Sequence, residues 1–174
     1  MVANIFTRRR FGERFASFVS GLGLAGIFGS AASGAEQAAG AAQAGGVQKL
    51  GYEGKPAEGT QMITALIVHN DLIYIAGQGA HSHDTGETFP KDIENHTKHV
   101  MDSVKLLVEA GGGSVDSILQ LTVYLANIDL YDGMNKVFKT YFPHGGPART
   151  TVAVAALPGD SLVEINCIAA VTRK

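Results

Sequence analysis

The chain has 174 residues, room for one domain and an appendage, and its 45% hydrophobic against 17% charged residues can build a core. Its formal net charge is −2, yet the first 35 residues hold four of the 14 basic groups (Arg8, Arg9, Arg10, Arg14) and one acid (Glu13), leaving ten basic and fifteen acidic groups in the rest. A body with that excess of acid and no basic stripe excludes a phosphate-tracking nucleic-acid surface. A single cysteine, Cys167, excludes an intrachain disulfide.

Residues 1–35 have the parts of an export signal: a basic start, a Gly-diluted apolar stretch from about Phe15 to Phe28, then small residues. "TRRRF" (Thr7 to Phe11) resembles the bacterial twin-arginine signal, which predicts the export machinery as a partner, cleavage after Ala35, and a periplasmic or otherwise exported protein. The competing reading is an uncleaved anchor or a chance basic amphipathic start. Residues 36–60 read as an Ala/Gly-rich tether, flexible through "EQAAGAAQAGGVQKLG" (36–51), and 61–174 as the folded domain.

Apolar alternation predicts paired strands at 62–68 and 72–77, turning at Asn70 and Asp71. A polar loop at 79–90 leads to a helix over 92–110, whose Ile93, Thr97, Val100, Val104, Leu107 and Val108 make one face and which Gly111 to Gly113 stop. A strand at 118–126 precedes a second helix over 129–142, with Leu130, Met134, Val137, Phe138 and Tyr141 on its apolar side. Strands at 149–157 and 162–171, joined at Pro158, Gly159 and Asp160, end the chain. The order ββαβαββ predicts an α+β fold, a mixed sheet with two helices on one face. The other face then needs a partner, so self-association is expected.

Arg149 enters an apolar strand, and its rigid fork of donors suits a carboxylate. Glu164 lies in "VEIN" on the next strand, so the two are expected on a hairpin, lining one cleft. One reading makes them a structural ion pair or two solvated edge charges; the other gives Arg149 a substrate carboxylate and Glu164 a water or proton. His81, His83, His96 and His99 invite a metal hypothesis, but no i, i+4 pair or accompanying carboxylate motif supports it, and polar-loop and helix-surface roles are the commoner explanation. His144, in a Gly-Gly turn close to Arg149, is placed for ligand contact or for a surface loop. There is no G-x-S-x-G elbow, and "GQGAHSHDTG" lacks the G-x-G-x-x-G spacing of a dinucleotide loop. Cys167, among apolar neighbours, reads as a packed side chain rather than a nucleophile.

"DLIYIAGQGA", "VKLLVEAGGGSVDSILQLTVYLANI" and above all "PARTTVAVAALPGDSLVEINCIAAV" resemble the RidA/YjgF family of reactive-intermediate deaminases, over about residues 62 to 172. The resemblance implies a chorismate-mutase-like fold, a homotrimer with clefts between subunits, and hydrolysis of enamines and imines of 2-oxo acids to the keto acid and ammonia without metal or organic cofactor. By position it makes Arg149 the residue that grips the substrate carboxylate and Glu164 the one that orients or activates water. Ala76 and Gly77 stand in the family's "SGQ" segment, with Ala76 for serine, and are assigned with Arg149 and His144 to substrate binding. Thr151 stands where many active members have cysteine and is assigned with Glu164 to catalysis; Ile63 stands where others have tyrosine. A kept anchor among changed wall residues leaves two further functions in view: a small-carboxylate-binding or protein-protecting module, and a structural partner of an exported enzyme.

Overall fold

A computed structural model of the chain describes residues 46–81 and 89–172. The expected leader, the first part of the tether, and His83 lie outside them.

The described residues form a six-stranded sheet carrying two helices. The strands are β1 (Gln48–Leu50), β2 (Leu66–His69), β3 (Leu72–Gly79), β4 (Ile118–Leu125), β5 (Ala148–Ala153) and β6 (Val163–Ala170); the helices are α1 (Ile93–Ala110) and α2 (Tyr131–Tyr141). Strand order is β1-β2-β3-β6-β4-β5, with β4 and β5 parallel and every other pair antiparallel.

Three boundaries differ from the sequence reading. Residues 48–50, read as tether, are an edge strand paired with β2, and Leu50 packs against the core. Three residues are too few for periodicity to register, and Lys49 suits an edge. The strand expected from residue 62 begins at Leu66, and Met62 and Ile63 are exposed. The strand expected to run to 157 ends at Ala153. Composition marks a run of Val, Ile and Ala as strand-like, but pairing stops where the neighbouring strand does, at Leu125 opposite Ala153.

The larger correction concerns the last two strands, which are not a hairpin. β4 lies between them, because β4-α2-β5 is a parallel crossover that puts β5 at the sheet's edge while β6 inserts between β3 and β4.

β6 shows why it is central. Val163, Ile165, Cys167 and Ala169 are buried beneath the helices while Glu164, Asn166, Ile168 and Ala170 alternate onto the opposite face, half-buried. The helix-side layer is the core, with Leu66, Ile73, Leu121, Val123 and Ile165 fully buried under Val100, Met101, Val104, Leu107 and Met134. Both helices show the expected apolar faces. Asp92 caps α1 by accepting the Asn95 N–H at 2.9 Å, and Gly112 takes the left-handed turn (φ +87°) that closes its far end. The second sheet face carries no helix among the described residues and leaves Tyr74 and Val152 about 40% exposed.

Candidate functional site

Arg149, the second residue of β5, is in register with Leu121 of β4, whose own partner on β6 is Cys167. It therefore belongs to the helix-bearing face. There its guanidinium lies over Phe138 of α2, 4.6 Å from the ring centroid, and 5.7 Å from that of Tyr131, to whose hydroxyl Nη2 donates a hydrogen bond of 3.2 Å. No carboxylate pairs with Arg149 among the described residues. Asn135 lies one turn along α2 from Tyr131. The polar side chain of Asn135 and the charge of Arg149 hold the phenol below the usual tyrosine value. Thr151 follows two residues later on the same face of β5, with a buried Oγ1 that has no partner. His144 is exposed between α2 and β5 and makes no hydrogen bond among the described residues.

Glu164 lies on the other face. It is opposite Tyr124 of β4 and Gly79 of β3, and its side chain covers Gly77 so closely that a Cβ there would overlap the carboxylate, 3.0 Å from Cδ. Absence of a side chain at Gly77 is thus what lets the carboxylate lie flat on β3. Gly77, Tyr124, Glu164 and Asn166 with the loop at 154–158 line a cleft of about 330 Å³. The Glu164 carboxylate has no hydrogen-bond partner among the described residues, and the Asn166 Oδ1 is buried without one.

The backbone under Glu164 is held from behind. β3 is irregular between Ile75 and Gln78, and the buried Gln78 amide closes the irregularity by donating to the carbonyls of Ala76 (2.9 Å) and Gly77 (3.2 Å). Tyr52 in turn donates to Gln78 Oε1 at 3.0 Å, and burial pushes its phenol up to about 12. The entrance of β6 is fixed by His96, fully buried on α1, whose Nδ1 accepts the Leu162 N–H (3.1 Å) so that Nε2–H is left to donate to the Phe89 carbonyl (3.3 Å). Ser161 Oγ accepts from Ala80 N–H (2.8 Å) and donates to the Val163 carbonyl (2.6 Å).

His96 and His99 thus serve as structural contacts. His99 stacks on Phe89 and bonds the His81 carbonyl through Nε2, and desolvation holds its imidazole below the usual value. Cys167 is buried, its thiol pushed up to about 12 by burial.

The expected single cleft holding both Arg149 and Glu164 does not exist within one chain. The two residues are three positions apart along the strand direction and two strands apart across the sheet, about 14 Å between α-carbons, and on opposite faces. Thr151 goes with Arg149; Ala76 and Gly77 go with Glu164. The intrachain ion pair is excluded for the same reason. The sequence reading missed Asn135 and the role of Tyr131. Their i, i+4 spacing, with Phe138 at i+7, placed them on one face of α2, but Phe138 alone looked like ordinary core.

The family described as Endoribonuclease L-PSP matches residues 57–171. A RutC family protein of Pyrococcus abyssi is 37% identical over 99 residues, covering 57% of this chain and 78% of its own. A protein of Mus musculus named 2-iminobutanoate/2-iminopropanoate deaminase is 34% identical over 97 residues, covering 56% and 72%. Among solved structures, RidA from the Antarctic bacterium Psychrobacter sp. superposes with a TM-score of 0.63 at 28% identity, over 71% of this chain and 98% of that one.

Proposed function

The chain belongs to the Endoribonuclease L-PSP family, and from that premise we propose that it hydrolyses small carboxylate-bearing imines and enamines to 2-oxo acids and ammonia. The deaminase names of its relatives support the reaction class. The observation that carries the reading is Arg149: a guanidinium stacked on Phe138, bonded to one neutral hydroxyl, and without a carboxylate of its own among the described residues. An anion is the partner it lacks.

The separation of Arg149 from Glu164 is the reason to assign the site to two copies of the chain. β5 is an edge strand that exposes Arg149's half of the site, and the uncovered sheet face bearing Glu164 also carries Tyr74, Val152 and Ile168. Those features favour a symmetric assembly, read here as a homotrimer, in which the edge of one protomer meets the open face of the next. In such a site Arg149 holds the substrate carboxylate and Glu164 of the neighbouring copy takes a proton from water as the oxygen attacks the C=N carbon. The protonated glutamic acid returns that proton to nitrogen, giving the carbinolamine; the carboxylate then takes the hydroxyl proton and passes it to the amine as the C–N bond breaks, so that ammonia leaves and the 2-oxo acid remains. The carboxylate's freedom from protein partners leaves its lone pairs available for that water. The basic, small-residue-bounded leader supports placing this activity outside the cytoplasm.

Mixing two inactive variants tests the composite site. Arg149→Ala and Glu164→Gln are each expected to lose turnover of 2-iminopropanoate generated in situ. Random reassembly of equal amounts should restore about one site in four, the fraction that draws both groups intact. No recovery sinks the two-copy site. No turnover by the wild-type assembly over several 2-imino acids removes the hydrolase, and stabilisation by 2-oxo acids without turnover establishes the binding module instead.

A further inference from the structure

We propose that Tyr131 is a ligand-binding residue of the Arg149 half-site, its phenol O–H acting as an additional donor to the carboxylate that the guanidinium holds. The proposal rests on the reading that Arg149 binds a carboxylate.

The argument is one of hydrogen-bond capacity. A phenol oxygen has two acceptor positions and one proton to give. Arg149 Nη2 occupies one acceptor position at 3.2 Å. A phenol that accepts from a guanidinium keeps its own proton to give, so a partner that suits both groups is an acceptor. Its proton has no acceptor among the described residues. Tyr131 is 38% exposed, so a ligand from solvent can reach it beside the guanidinium. The charged Arg149 donor polarises the phenol and makes it a stronger donor.

The aromatic neighbours set the direction. Phe138 occupies one side of the guanidinium at 4.6 Å, and the Nη2–Tyr131 bond settles its rotation, leaving the rest of the fork for an incoming anion. A carboxylate that takes donors from Arg149 then brings an oxygen beside the phenol proton. Two ionised oxygens can accept from both residues at once, whereas a primary amide offers one acceptor and presents a donor to a site made only of donors. The arrangement therefore selects ionised acids over their amides.

Titration calorimetry of the full chain with 2-oxobutanoate, and with 2-oxobutanamide as control, tests this on wild type, Tyr131→Phe and Arg149→Ala. Tyr131→Phe keeps the ring against Arg149 and removes the hydroxyl alone. It is expected to weaken 2-oxobutanoate binding about tenfold, with KM rising and kcat unchanged because the bond is made to substrate and transition state alike. Wild-type affinity should also fall on the alkaline side, where the phenol loses its proton, and Tyr131→Phe should lack that limb. If Arg149→Ala binds as tightly as wild type, the carboxylate anchor itself is wrong. If Arg149→Ala abolishes binding while Tyr131→Phe matches wild type in affinity and alkaline profile, the anchor stands and the role of Tyr131 is overturned.

Discussion

Replacing Gly77 by alanine puts a methyl group where the Glu164 carboxylate now rests. The overlap involves the far end of a flexible side chain, so Glu164 can turn aside rather than force the backbone apart. The φ angle of Gly77 is not in the left-handed region, and alanine fits the backbone there. Stability then changes by two small opposing effects: loss of glycine's freedom in the unfolded chain favours the variant by about 0.4–1 kcal/mol, and an off-rotamer Glu164 costs about 0.5–1.5 kcal/mol. The net should lie within about 1 kcal/mol, whereas moving a proton-handling carboxylate by an ångström costs on the order of 100-fold in turnover, about 2.7 kcal/mol in the barrier. The assay is ammonia and 2-oxo acid release from 2-iminopropanoate beside a urea melt of the same preparation. A variant with a normal melt and about 1% of wild-type turnover is the expected result, and Gly77→Ala with Glu164→Asp, one methylene shorter, should recover part of it. Full activity in Gly77→Ala would refute the idea that the carboxylate works from its place on β3.

Two further outcomes follow from the groups that hold this region in place. Tyr52→Phe strips the buried Gln78 Oε1 of its phenol donor and should cost about 1–3 kcal/mol in a urea melt; because burial raises the Tyr52 phenol to about 12 from about 10 in the unfolded chain, its contribution is whole below pH 10 and lost as pH climbs towards 12. The gap between wild type and variant should therefore narrow over that interval, and a constant gap would discard the linkage. His96→Ala opens a cavity in the core and orphans the Leu162 N–H, for a loss of about 2–5 kcal/mol, and a change under 0.5 kcal/mol would show that the imidazole does not secure the start of β6.

Much of the architecture is readable from one chain because it is written in local periods. The apolar face of α1 repeats every three to four residues and Gly112 supplies its stop; β6 alternates with period two from Val163 to Ala169. Alternation also tells that Glu164 faces away from Ile165, whatever strand lies beside it. Periodicity is silent on which strands become neighbours, since a β-strand's side-chain pattern is the same beside any partner. That silence produced the mistaken hairpin of β5 and β6.

What the amino-acid order determined by itself was the inventory and the facing: an Arg at the mouth of one strand, a Glu on the non-core side of another, and two amphipathic helices, enough to cover one face of the sheet. Only the tertiary structure decided that β4 separates the two charged residues and that Arg149 shares the helix face with Phe138 and Tyr131 while Glu164 lies across the sheet over Gly77. The physical reason is that insertion of β6 and the crossover through α2 are settled by burial summed over the whole sheet, an interaction between residues far apart in sequence that no local pattern encodes.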